Sequence, residues 1–154
     1  MKTAQLLDSA LVTGSIASMV SAVSLAALAK MEGKGGAQPL NATSHWLHGD
    51  NAALRDGVDT AHTGVGFATH HASALFWALP FEAWLAAHPP QSSIELLRNS
   101  AVMSAVAAVV DYGITPKRLT PGWELTLSGQ SMFGAYTGLA LGLAAGAYVA
   151  RRLV

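Results

Sequence analysis

The sequence predicts an all-α integral membrane protein, a four-helix bundle forming one transmembrane domain over residues 1–154. Three observations predict it. Only 12% of the residues are charged and 51% are hydrophobic, whereas soluble domains carry roughly 25% charged residues. Mean hydropathy is positive. The apolar residues gather into four segments, each close to the roughly 20 residues that a spanning helix needs at about 1.5 Å rise per residue.

The first helix is expected at about 9–29, a stretch without a charge. Lys2, the apolar run and Ala27-Leu28-Ala29 also fit a signal peptide with its cleavage site, but the run is long for the apolar region of such a peptide, so a retained helix is expected. The second helix is expected at about 59–87, interrupted by His70, His71 and Glu82. The third, about 94–114, has Glu95 and Arg98 at one end and Asp111 at the other. The fourth, about 127–150, is charge-free from 128 to 149. "EGKGGAQP", "HPPQSS" and "TPKRLTPGWE" break the chain between them with glycine and proline. A polar loop is expected over 30–58. Trp46, Trp84 and Trp123 fall near predicted helix ends, where aromatic rings favour the headgroup region.

Four helices place both termini on one side, with Lys2, Arg98, Arg151 and Arg152 there and Lys30, Lys34, Arg55, Lys117 and Arg118 opposite. This is no usable charge bias; the closing Arg-Arg tilts the expectation toward cytoplasmic termini. Cysteine is absent, which excludes disulfides, thiolate metal sites and cysteine nucleophiles. Formal charge is zero and no basic cluster occurs, so a nucleic-acid partner is not expected. The expected partner is the lipid bilayer.

Helix association in lipid depends on close backbone packing. Gly134, Gly138, Gly142 and Gly146 recur every four residues on the last helix, and Ala10, Gly14, Ser18, Ala22 and Ala26 offer a small face on the first. The stripe serves either packing within the bundle, the reading favoured here, or association in a homo-oligomer or a larger membrane complex.

The polar residues carry the candidate chemistry. Ionisable groups at bilayer depth are costly and face protein or water. His70 and His71 lie mid-segment but point about 100° apart. Asp59, His62, Gly66 and His70 fall along one stripe, and His71 and Glu82 along another. Pro80 removes a backbone donor, so a kink is expected, and Glu82 just beyond it reads as an end residue in reach of water. The "NATSHWLHGD" stretch places His45 and His48 three apart, followed by Asp50. With Asp59 and His62 they form a candidate nitrogen/oxygen site for zinc, iron or copper, against the plain alternative of solvated and capping residues. Asn41-Ala42-Thr43 matches a glycosylation sequon. Asp111 calls for a partner, expected to be Lys117 or Arg118; the sharper alternative is a polar pocket shared with Tyr112 and a histidine of the second helix.

Together "NATSHWLHGD", "HTGVGFATHH" and "DYGITPKRLTPGWE" resemble a family of small uncharacterised bacterial four-helix inner-membrane proteins. The resemblance covers most of the chain; it implies an inner-membrane location and no particular activity. Membrane di-iron hydroxylases and desaturases carry several HxxxH and HxxHH boxes, whereas this chain has HxxH and HH without a third box. A haem would need the second helix plus the loop, or a second subunit, because every histidine lies between His45 and His88. Three function classes therefore stand: a histidine region binding a metal, haem or polar ligand; an accessory subunit packing through the glycine stripe; and a proton or small-solute conduit using His70, His71, Glu82 and Asp111. No nucleophile–base pair, Walker loop or dinucleotide fingerprint marks an enzyme.

Overall fold

The computed structural model describes residues 3–154, and those residues are helical with no strand among them. Helix α1 is Thr3–Met31, α2 is Gln38–Thr43, α3 is His45–His48, α4 is Val65–Ala87, α5 is Ser93–Gly113 and α6 is Gly129–Leu153. A 3-10 turn at Asp50–Leu54 and a π-turn at Thr60–Gly64 lead into α4. Two 3-10 turns, Lys117–Leu119 and Trp123–Leu125, join α5 to α6.

The helix starts follow from local chemistry. Asp59 accepts from the His62 amide at 2.6 Å and opens the π-turn. Ser92 accepts from the Glu95 amide at 3.2 Å and satisfies an orphan donor of α5, while Glu95 reaches back to the Gln91 amide at 2.8 Å and ties down the chain before the cap. Ser128 accepts from the Ser131 amide at 3.3 Å and caps α6. Pro80 sits inside α4, which runs on to Ala87.

Helix α1 lies between α4 and α6, and α5 packs on the far side of α6; α4 and α5 touch only slightly. A Cβ on Gly134 would meet Leu28, one on Gly138 Ser24, one on Gly142 Ala17 and one on Gly146 Thr13. The glycine row therefore lies antiparallel against α1 of the same chain. Its partner row differs from the one expected: Gly14 instead meets Leu75 of α4, and Thr13, Ala17, Ser24 and Leu28 face the glycines. Rows spaced four apart wind around a helix, and a crossing neighbour follows them.

The same winding corrects a stripe assignment on α4. Gly66, His70, Ala74, Ala78 and Glu82 are all buried, whereas His71 is half-buried and stacks on Phe67. Glu82 shares the α1-facing row with His70, not with His71. It is 4% exposed and bonded to Thr13, so it is not a solvated end residue.

The interior is built of small residues and hydroxyls such as Ala17, Ser18, Ser21 and Ala147, while Leu11, Met19, Phe76, Val106, Phe133 and Leu141 point outward. Helices α1, α5 and α6 are long and apolar enough to cross a membrane. Helix α4 has 23 residues and carries His70, His71 and Glu82 within its run.

The expected loop over 30–58 is instead a folded cap. Pro39, Asn41, Ala42, Ser44 and His45 are buried in it. Asn41 donates to the carbonyls of Arg55 and Gly57 at 2.8 Å each and accepts from the Thr63 hydroxyl at 2.5 Å. The amide of the sequon residue is thus spent in holding the cap.

Candidate functional site

Beneath the cap, the open side between α4 and α5 encloses a cavity of about 270 Å³. Helix α4 contributes Thr69, His70 and Trp77 to its wall, α5 Asp111 and α6 Tyr136, while Trp46 and Trp123 close it from the cap side.

The hydrogen bonds decide which groups face the interior with free valence. Trp46 Nε1 donates to Thr69 Oγ1 and Trp123 Nε1 donates to Thr43 Oγ1, each at 3.1 Å. Both indole N–H groups are thereby spent, leaving the ring surfaces to line the space. The Trp123 and Tyr136 centroids are 5.4 Å apart, and the His70 and Trp123 centroids 5.9 Å. Tyr136 donates its hydroxyl to Asp111 Oδ2 at 2.7 Å, and Ser104 Oγ donates to the Tyr136 carbonyl at 2.6 Å. Among the described residues, no basic side chain pairs with Asp111.

His70 is held from α1. The Ser21 hydroxyl donates to the Ala17 carbonyl at 2.7 Å, so its oxygen accepts from His70 Nε2 at 2.9 Å. The Ser18 carbonyl, 3.2 Å from the same nitrogen, is a second acceptor. Nε2 therefore carries the proton, and Nδ1 holds the lone pair of the neutral ring. This fixed tautomer leaves Nε2 unavailable as a metal or haem ligand.

The expected ion pair of Asp111 with Lys117 or Arg118 does not form. Arg118 Nε donates to the Trp46 carbonyl at 3.2 Å, and the partner of Asp111 is the Tyr136 hydroxyl. Asp111 does share a pocket with a histidine of the second long helix, but Tyr112 lies outside that cavity and lines the neighbouring grooves.

The tentative metal ligands separate into unconnected groups. His45 is buried, with Nε2 on the Thr120 carbonyl at 3.0 Å and Nδ1 3.3 Å from Asp50. His48 is exposed, bonds the Ala61 carbonyl at 3.0 Å, and its ring lies 4.6 Å from that of His62. His62 Nδ1 sits 3.1 Å from Asp59. His70 and His71 point to different faces below them. Among the described residues, no three histidine, aspartate or glutamate side chains are placed to hold a metal ion. The short cap helix turns His45 inward and His48 outward, which defeats the spacing argument.

Sequence reasoning missed Trp77 and Tyr136 as wall residues and read Trp46 and Trp123 as interfacial anchors. Pro121-Gly122 beside Trp123 is the one local signal that the tryptophan folds back: Gly122 has φ +78°, and a Cβ there would stand 2.5 Å from the Ala42 carbonyl.

Outside the long helices, Glu32 ties the end of α1 to the start of α6. Its carboxylate pairs with Lys34 at 2.8 Å and accepts from the Ser128 amide at 3.0 Å. Lys34, with the Ser128 hydroxyl and amide, holds the Glu32 carboxyl well below the usual carboxylate range.

Fold and cavity define a helical protein with three helices able to cross a membrane and an aromatic-walled, carboxylate-bearing pocket at one end. No protein-family model, curated protein or solved structure matches the chain.

Proposed function

We propose that the chain is a four-helix integral membrane protein that binds a small organic cation, an amine or quaternary ammonium, in the aromatic cavity. The carrying observation is that Asp111, without a basic partner among the described residues, shares about 270 Å³ with Trp46, Trp77, Trp123 and Tyr136. Aromatic faces attract cations through the ring quadrupole, and tryptophan does so best. Small-ligand sites are concave, mostly apolar and marked by a few convergent polar groups. The volume fits a compact headgroup rather than a macrocycle such as haem.

Two observations support the four-span arrangement. The outward residues Phe76 and Leu79 give α4 an apolar outer face like those of its neighbours. Its polar residues His70 and Glu82 turn inward onto α1, as intramembrane ionisable groups do. The accessory-subunit reading is weakened because α1 already covers the glycine row.

Calorimetric titration of the detergent-solubilised protein with tetramethylammonium tests the reading. Saturable binding that weakens at least tenfold in Asp111→Asn is the expected result. No saturable heat in wild type, or equal affinity in the variant, overturns it.

A further inference from the structure

We propose that the seam between α1 and α4 is a proton pathway joining the aromatic cavity to the opposite end of the protein. It rests on the four-span arrangement above but not on the identity of the ligand.

Two ionisable side chains occupy the seam. His70 and Glu82 are 5% and 4% exposed, and their spacing on α4 corresponds to about 18 Å along a helix axis. Glu82 accepts from Thr13 Oγ1 at 2.5 Å and pairs with no basic side chain among the described residues. It borders a second cavity, of about 150 Å³, together with Ser9 and Arg151 at the terminal end. His70 borders the aromatic cavity at the cap end. Cavities thus enter from both ends and stop at two ionisable groups on one buried row.

Between them stands Ser18. It is 0% exposed, and among the described residues its Oγ has no hydrogen-bond partner. Buried hydroxyls are normally satisfied by protein or by ordered water. Between His70 and Glu82 the buried row of α4 carries Ala74 and Ala78, which bring no polar group. The order along the seam is therefore Glu82, Thr13, Ser18, Ser21, His70. Thr13 to Ser18 spans about 7.5 Å of axis and Ser18 to Ser21 about 4.5 Å. Both gaps exceed the separation of about 2.7 Å that transfer between oxygens needs, so water must bridge each of them, and the unpaired Ser18 hydroxyl is its anchor.

The tautomer of His70 gives the relay a balanced step. A proton arriving from the cavity binds the Nδ1 lone pair, and the Nε2 proton leaves to Ser21 Oγ. Ser21 passes its own proton on through Ser18 and bridging water to Thr13, and Glu82 receives one. Each group gains one proton and loses one, and Glu82 releases its proton to the terminal cavity. The other ionisable side chains lining these spaces are Asp111 across the cavity and Arg151 beside Glu82, while His71, next to His70 on α4, stacks on Phe67. Chains of intramembrane carboxylates and histidines are the usual fabric of such relays.

The test uses the full chain in potassium-loaded liposomes containing a pH-sensitive dye, with valinomycin imposing the voltage. Wild type is expected to carry proton flux several-fold above protein-free liposomes. Glu82→Gln and His70→Gln should each bring it down to the protein-free background. Ser18→Ala removes one hydroxyl and keeps the fold, and it should also slow the flux. Background flux from wild type that resists carbonate extraction overturns the pathway while leaving the spanning arrangement intact. Flux undiminished in Ser18→Ala or in folded Glu82→Gln also overturns it. Protein stripped from the liposomes by carbonate overturns both.

Discussion

Replacing Gly66 with alanine should detach the cap from the bundle. A Cβ on Gly66 would stand 1.7 Å from the Leu40 carbonyl oxygen. Ordinary carbon–oxygen contact begins near 3.3 Å, so α2 must retreat by about 1.5 Å. The obstacle is backbone, and the helix carrying it cannot yield freely: Pro39, Asn41 and Ala42 are buried, and Asn41 bonds the carbonyls of Arg55 and Gly57. Overpacking costs about 1–3 kcal/mol and two or three lost hydrogen bonds about 1 kcal/mol each, against about 1 kcal/mol gained from helix propensity, leaving a net cost of about 2–5 kcal/mol. The cost is local, because α1 and α6 pack on each other elsewhere. Gly64→Ala is the matched control, since its Cβ meets only Thr60 Cγ2 at 3.6 Å. Hydrogen exchange read by mass spectrometry is the assay. Protection over residues 38–54 should fall about 30-fold or more in Gly66→Ala, from about 1.4 kcal/mol per tenfold, and hold in Gly64→Ala. Wild-type protection in Gly66→Ala, or equal loss in Gly64→Ala, refutes the reasoning.

Other outcomes follow from single contacts. Gly142→Leu sets a side chain against the Ala17 backbone, 2.7 Å from its Cα, and should lower the thermal midpoint strongly, whereas outward-facing Leu141→Ala should change it little. The lowered carboxyl of Glu32 stabilises the fold above its ordinary value of 4.5, and this contribution disappears as pH falls below that value through the folded one. Midpoints measured at about pH 6 and about pH 3 should therefore differ more for wild type than for Glu32→Gln. Tyr136→Phe removes the hydroxyl bonded to Asp111 and should change tetramethylammonium affinity while leaving helical content at the wild-type level. Because the chain has no cysteine, single cysteines report depth directly. Cysteine at Phe76, Val106 or Leu141 should resist an aqueous maleimide in membranes, and cysteine at Asp50 should react; labelling at Phe76 would remove α4 from the bilayer.

The four long helices were legible because apolar runs of spanning length and Pro/Gly breaks act locally. Their serine caps, Ser92 and Ser128, emerge only in the structure. What was not legible depends on tertiary packing. An ideal helical wheel groups Glu82 with His71, but α1 crosses along the four-residue row and selects His70 and Glu82 together. The segment from 30 to 58 reads as polar loop because its apolar residues are few, yet Asn41 organises it by bonding backbone carbonyls far along the chain. Asp111 was recognisable as a group needing a partner. That the partner is Tyr136, on the next helix, follows only from the register of α5 on α6. Histidine spacing in the cap suggested a shared face, and the four-residue α3 is too short to deliver one.

The central claim is that the aromatic cavity recognises positive charge. Titrating the wild-type protein with choline and with its neutral isostere 3,3-dimethylbutan-1-ol, followed by tryptophan fluorescence, tests it most directly, because Trp46, Trp77 and Trp123 all line the space. Saturable quenching by choline at concentrations at least tenfold below those needed for the alcohol is the predicted result. Equal response to both, or none to choline, would contradict it.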